Sequence, residues 1–211
     1  MILIGQYDSP FVRRVAVTLH HYHMPFTRKP LSVFGDKQEV QAINPLLRVP
    51  ILIIENGEQI VDSAAIIDHL DHVVGNARSL MPAHGPERRK VMQTCVLSTG
   101  CSDKVVALFF ERNFHSPKSI SPDLDARLSS QIKSTLDWLE HQCGSPWFND
   151  HHMTQADITI GCTLSHIKLR LPDFFPANAY PKLHALSRHC EMMPEFDAAR
   201  IGANETVPKK L

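Results

Sequence analysis

Apolar positions change their period along this chain, and the changes mark out its elements. Ile2 to Gln6 opens with a short apolar run that reads as a strand. Pro10 to Met24 carries apolar residues at 11, 12, 15, 16 and 19, the spacing of one helix face. Phe26 to Leu31 reads as a second strand. Asp36 to Ile43 reads as a short helix stopped by Asn44-Pro45. Pro50 to Glu55 and Gln59 to Val61 flank Asn56-Gly57, a two-residue hairpin signal. Ser63 to Val74 is helical again, and Gly75-Asn76 ends it. The order is β-α-β-α-β-β-α.

The pattern then loses its strands. Gly75, Asn76, Pro82, Gly85 and Pro86 punctuate a stretch of little periodicity that reads as a linker. Beyond it come four helical patterns: Glu87 to Phe114, Pro122 to Gln142, Thr154 to Leu171 and Tyr180 to Met193. The second of these carries Leu124, Leu128, Ile132, Leu136 and Leu139 on one stripe. The expected organisation is an α/β domain over residues 1–77, a linker at 78–86 and an all-helical domain over 87–211.

Composition narrows the partners. Lys plus Arg and Asp plus Glu are equal at 22 each, so no net charge draws the chain to nucleic acid or to an anionic membrane. The apolar run at Val49 to Ile54 is too short to span a bilayer, and the N-terminal run has no basic leader. The expectation is a cytoplasmic protein without nucleic-acid or membrane partners. Five cysteines, at 95, 101, 143, 162 and 190, show no CxxC spacing and read as reduced thiols. Thirteen histidines include His20-His21-x-His23 and His151-His152, which lack cysteine or carboxylate partners at zinc-ligand spacing. No metal is expected.

Four separated pieces carry a resemblance. They are Ser9-Pro10-Phe11-Val12-Arg13-Arg14 after the first strand, Asn44-Pro45-Leu46-Leu47-Arg48-Val49-Pro50 before the third, Asp62-Ser63-Ala64-Ala65-Ile66-Ile67 at the third helix, and Thr154-Gln155-Ala156-Asp157-Ile158 in the second half. Their set and order resemble the glutathione S-transferase superfamily, in the bacterial-type form with a serine in the SPF motif. The resemblance implies a thioredoxin-like domain followed by an all-helical one, with glutathione as co-substrate.

Each piece also has a physical reading. Pro10 suits the first position of a helix, which makes Ser9 its N-cap. A glutathione sulfur placed there meets the serine hydroxyl, free backbone N–H groups and the positive end of the helix dipole, all of which favour thiolate. Ser9 then donates a hydrogen bond to the nucleophile and is not itself the nucleophile; the alternative is a cap with a purely structural role. Tyr7 is the runner-up donor. The resemblance implies a cis Val49–Pro50 peptide, with the Val49 N–H and C=O paired to the cysteinyl part of glutathione; an ordinary trans proline opening an edge strand is the alternative. Arg48 belongs to the same glutathione-binding set. Ser63 at a helix start offers a hydroxyl and N–H to the γ-glutamyl carboxylate, and Asp62 offsets the ammonium. The family more often has glutamate at the place of Asp62. Thr154 to Asp157 reads as a capping box with a structural role.

The second substrate is expected to be an apolar electrophile held between the domains. Its expected walls are Phe11, Phe34, Val105, Phe109 and Arg112, with Cys101 and Leu108 on the same helix as the last three. The family also implies a homodimer, contacting through 64–72 and 88–99. The implied activity is conjugation of the glutathione thiolate to that electrophile. Alternatives are a peroxidase, dehalogenase or isomerase using the same thiolate, or a glutathione-binding scaffold without turnover. A serine at position 9, where the related thiol reductases carry cysteine, argues against a mixed disulfide with the protein.

Overall fold

The computed structural model describes residues 1–149 and 151–205; the last residues of the expected 87–211 domain, 206–211, lie outside the described residues. The chain divides into two compact units. Among the described residues, one is Met1–Arg88 together with 192–205, and the other is Arg89–Glu191.

The first unit holds β1 (Ile2–Ile4), α1 (Pro10–His21), β2 (Thr27–Lys29), α2 (Lys37–Ile43), β3 (Ile51–Ile53), β4 (Gln59–Val61) and α3 (Ser63–Val74). The strands form one sheet in the order β2-β1-β3-β4, with β1 parallel to β2 and antiparallel to β3. Register pairs Leu3 with Leu52 and Ile4 with Ile51. Alternation along each strand sends these two pairs to opposite faces. Ile4 and Ile51 pack with Leu31 and with Val40 of α2. α1 packs against α3, and α3 contacts β3 and β4.

The strands are shorter than the apolar runs that announce them. β1 ends because Gly5 takes φ 131°, a conformation closed to side chains, and a Cβ there would stand 2.5 Å from a Val12 methyl and 3.0 Å from Val49 Cβ. The β3–β4 connection spans residues 54–58 and is not a two-residue turn. Gly57 N–H donates to Ile54 O (3.0 Å), and Glu58 N–H donates to the Asn56 side chain (2.9 Å). The Val49–Pro50 peptide is cis, as the resemblance implied, and so is Ser145–Pro146.

The second unit contains most of α4 (Gly85–Phe114), with α5 (Pro122–Gln142), α6 (Gln155–Arg170), a short 3-10 turn (Pro172–Phe174) and α7 (Pro181–Glu191). Ser121 caps α5, whose stripe Leu128, Ile132, Leu136 and Leu139 is buried; Leu124, expected on the same stripe, is 41% exposed because it sits in the first turn. α6 is buried along most of its length and starts at the expected capping box. Thr154 Oγ1 accepts from Ala156 N–H (3.3 Å), while Asp157 Oδ2 accepts from Thr154 N–H (2.8 Å). No described helix is long and apolar enough to cross a membrane.

Two expected boundaries move. The division falls inside α4, after Arg88, and not in residues 78–86; Arg88 Nη1 donates to Pro82 O (3.0 Å) and ties the helix start to the preceding turn. Residues 192–205, expected with the helical half, belong to the first unit. They hold α8 (Pro194–Ala198), which no periodic signal announced. The reason is the buried Arg13 of α1, whose Nε donates to Ala199 O (2.9 Å) and Nη2 to Phe196 O (3.3 Å), with the Phe196 ring 5.3 Å from the guanidinium.

Candidate functional site

A small open cleft lies on the first unit where the loop before β3 meets the start of α3. It brings together Arg48, Val49, Pro50, Asp62 and Ser63, all expected on sequence grounds, with Asn44, Leu46 and Val61. Phe11, expected as an electrophile wall, also lines it. The exposed Arg48 guanidinium lies 5.5 Å from the Phe11 ring.

The loop that carries Val49 and Pro50 is shaped by a residue that the motif contained but sequence reasoning left without a role. Asn44 is 3% exposed, donates from Nδ2 to Arg48 O (2.8 Å) and accepts at Oδ1 from Leu46 N–H (3.1 Å). It thereby satisfies both ends of a turn in which Leu47 takes φ 51°. Asn44→Ala removes both of these part-buried hydrogen bonds, at about 1 kcal/mol each. Thermal melting should show that loss, and glutathione affinity should fall with it; an unchanged melting temperature contradicts the bracing role.

Asp62 and Ser63 open α3. Asp62 takes φ 75° and accepts at Oδ1 from Ala64 N–H (2.8 Å), the geometry of an N-cap that leaves its second oxygen toward the exterior. Ser63 is buried, and its Oγ accepts from Arg14 Nη1 at 3.3 Å. Arg14, 5% exposed on α1, is the functional candidate the reading missed. A serine hydroxyl that accepts from a guanidinium still has its own O–H to donate. The buried cation behind it adds to the positive end of the α3 dipole. A cation and a helix N-terminus together favour negative charge beside them. The available signal was an arginine inside an otherwise apolar helix pattern, because such a cation must find a partner.

Ser9 and Tyr7 stand outside the cleft lining. Ser9 is the N-cap of α1: its Oγ accepts from Val12 N–H at 3.4 Å, with φ −73° and ψ 120°. The cap uses an acceptor lone pair and leaves the O–H free to donate. Tyr7 is held at its ring and its backbone. It is 4% exposed, the Arg28 guanidinium covers its ring at 3.5 Å, and its N–H donates to Glu205 Oε2 (3.0 Å). Burial pushes its phenol above the ordinary value; the Arg28 charge pulls it back and Glu205 pushes it further up.

Of the other expected electrophile walls, Phe34 belongs to the first unit and Val105, Phe109 and Arg112 belong to the second. Phe34 is half-buried in the loop before α2, with its N–H on Ser32 Oγ (3.1 Å). Val105, Leu108 and Cys101 are buried, and burial holds the Cys101 thiol up at about 12. Val105 at 0% exposure has no surface to offer a ligand. Phe109 lies among Phe110, Phe114 and the Arg170 guanidinium. Arg112 is held by Asp125 through two hydrogen bonds (2.6 and 2.8 Å), which keep that carboxyl below its usual range. Among the described residues no group of three or more His, Cys, Asp or Glu is placed to hold a metal ion.

A small mixed sheet flanked by helices, a proline loop beside a serine-capped helix, and a following set of helices define a thioredoxin-like domain joined to an all-helical one. Residues 3–78 match the family model of the glutathione S-transferase N-terminal domain, and residues 125–189 match that of the C-terminal domain. The chain belongs to the glutathione S-transferase superfamily. Among solved structures it is similar to a glutathione S-transferase from Methylobacterium radiotolerans in complex with glutathione sulfonate, at 25% identity and TM-score 0.89, covering 98% of each chain. It is also similar to a glutathione transferase family member from Pseudomonas fluorescens Pf-5 with bound glutathione, at 26% identity and TM-score 0.84, covering 96% of this chain and 99% of that one. A curated relative, the uncharacterized GST-like protein YibF of Escherichia coli, is 26% identical over 170 residues, 81% of this chain and 83% of its own.

Proposed function

We propose that this protein binds glutathione in the cleft of its first unit and transfers the glutathione sulfur to an apolar electrophile. The observation that carries the reading is the anion-receiving corner made by Ser63, the α3 N-terminus and the buried Arg14, in one cleft with Val49, Pro50 and Asp62. Glutathione-bound structures of similar chains support it.

The γ-glutamyl carboxylate takes the Ser63 O–H and N–H, and Asp62 faces the neighbouring ammonium. The Val49 backbone pairs with the cysteinyl part. The thiol then lies toward the N-terminus of α1, where the Ser9 O–H and the helix dipole stabilise its ionised form. Thiolate sulfur attacks an electrophilic carbon. A C–S bond forms, and either a halide leaves with its electron pair or the displaced π electrons collect a proton at the adjacent carbon. Phe11 supplies an apolar wall. Five buried cysteines, none in a disulfide, fit a reducing compartment, and we place the enzyme in the cytoplasm as a homodimer acting on reactive small molecules.

Ser63→Ala tests the anchor. A hydrogen bond to a charged group contributes about 1.5–3 kcal/mol, so glutathione Kd should rise by roughly tenfold or more. Calorimetric titration measures it. A Kd within twofold of wild type would place the carboxylate elsewhere.

A further inference from the structure

The turn that carries Ser9 is held from the far end of the chain. After β1 the backbone passes through Gly5 and turns over Gln6 to Ser9, with Ser9 N–H on Gln6 O (3.2 Å). Inside that turn the Tyr7 N–H points into the protein, where it needs a buried acceptor. The acceptor is Glu205 Oε2, at 3.0 Å and 198 positions away in sequence.

The Glu205 carboxylate is itself tightly fixed. Its Oε1 pairs with Arg28, and Gly202 N–H reaches Oε2 (3.4 Å) while Glu205 N–H donates to Gly202 O (3.0 Å). Arg28 in turn lies on the Tyr7 ring. Tyr7 is therefore gripped twice, at its backbone by the carboxylate and at its ring by the guanidinium. The segment arrives already anchored, because Phe196 and Ala199 are fully buried and their carbonyls accept from Arg13. Glu205 is 8% exposed and its bond to the Tyr7 N–H is buried, while its pair with Arg28 is part-buried.

We propose that Glu205 is a positioning residue for Ser9: its carboxylate fixes the Gln6–Ser9 turn, and so sets where the Ser9 hydroxyl stands at the start of α1. This rests on the reading that Ser9 faces the glutathione sulfur. A hydroxyl that stabilises a thiolate must sit within hydrogen-bond range of it, and a loosened turn spreads it over positions where most are too far. The γ-glutamyl anchor at Ser63 is not part of the turn.

The test uses Glu205→Ala and Glu205→Asp in the full chain. Glu205→Asp keeps a charge for Arg28 and withdraws the oxygen from Tyr7 N–H, so it serves where the alanine variant does not fold. Amide exchange of Tyr7 to Ser9 is followed first, without glutathione, and is expected to speed up by tenfold or more in the alanine variant. With glutathione bound, the thiol ionisation midpoint, read from thiolate absorbance, should move upward. kcat at pH 7 should fall about tenfold while KM for glutathione stays within about twofold. The aspartate variant should move all three in the same direction by less. Glu195→Ala breaks the His21–Glu195 contact (3.2 Å) of the same C-terminal segment without touching Tyr7, and should leave exchange at 7–9 and the midpoint at wild-type values.

Unchanged exchange at 7–9 in both Glu205 variants overturns the inference, and so does an unchanged midpoint where wild type binds glutathione with a depressed one. A wild type that binds no glutathione overturns the proposed function instead, and the exchange measurement still shows whether Glu205 holds the turn.

Discussion

Ser9→Ala is expected to leave glutathione bound but to return its thiol toward ordinary acidity. A free thiol ionises near pH 8.5, and a depression of ~2 units in the site raises the thiolate fraction at pH 7 by more than tenfold. Ser9 contributes to that depression as a donor to the sulfur. The oxygen already accepts from Val12 N–H, so its remaining capacity is the O–H. The sign follows directly. In wild type the bound thiol is ionised above its depressed midpoint; in the variant the midpoint is higher. The rate deficit is therefore largest near neutral pH and closes above about pH 9, where both are thiolate. Stability should fall only by the loss of a cap, about 1 kcal/mol. Stopped-flow conjugation of an aryl halide across pH 6 to 10, with thiolate absorbance beside it, measures both limbs. Superimposable pH profiles would reduce Ser9 to a helix cap.

Asp157→Ala has the second large effect, and it is on folding. Asp157 is fully buried in the second unit and accepts from Phe148 N–H (2.7 Å), Thr154 N–H (2.8 Å) and Thr154 Oγ1 (3.1 Å). Burial pushes its carboxyl above the ordinary range, and these hydrogen bonds push back. Alanine leaves two backbone N–H groups buried without an acceptor, each costing about 1–3 kcal/mol, and opens a void besides. It also frees the loop before α6, where Gly144 N–H pairs with Phe148 O (3.1 Å). A loss of roughly 3–5 kcal/mol lowers the melting temperature of a chain this size by about 10 °C or more. Glutathione affinity, measured cold enough for the variant to be folded, should match wild type. A melting temperature within about 2 °C of wild type would show that water replaces the carboxylate.

These two residues were visible in the sequence because their evidence is local. Ser9-Pro10 and Thr154 to Asp157 are caps, and caps are set within four residues of the chain. The same holds for the helices of both halves. What the sequence hid is satisfied over long distance. Arg14 finds Ser63 across 49 positions, Arg13 finds carbonyls beyond 180, and Glu205 finds Tyr7 across 198. Periodicity marks an arginine as polar and places it outside, whereas α1 buries both arginines because their partners lie on other elements. α8 went unread for a similar reason: a helix of one turn has no period, and Arg13 and the buried Phe196 hold it in place. The β3–β4 connection was misjudged because Asn56-Gly57 marks a turn without marking its length. Leu124 and Val105 mark the limit of stripe reading: the first sits in a first turn left exposed, and the second has no face left for a ligand.

The central claim is that the Ser63–Arg14 corner anchors glutathione in the first unit. Isothermal titration of the wild-type chain with glutathione, repeated with a γ-glutamyl analogue lacking the α-carboxylate, tests it most directly. The expected result is saturable one-site binding of glutathione in the micromolar to low-millimolar range, lost or weakened at least tenfold for the analogue. Equal binding of both compounds, or no heat from glutathione up to ~10 mM, would contradict it.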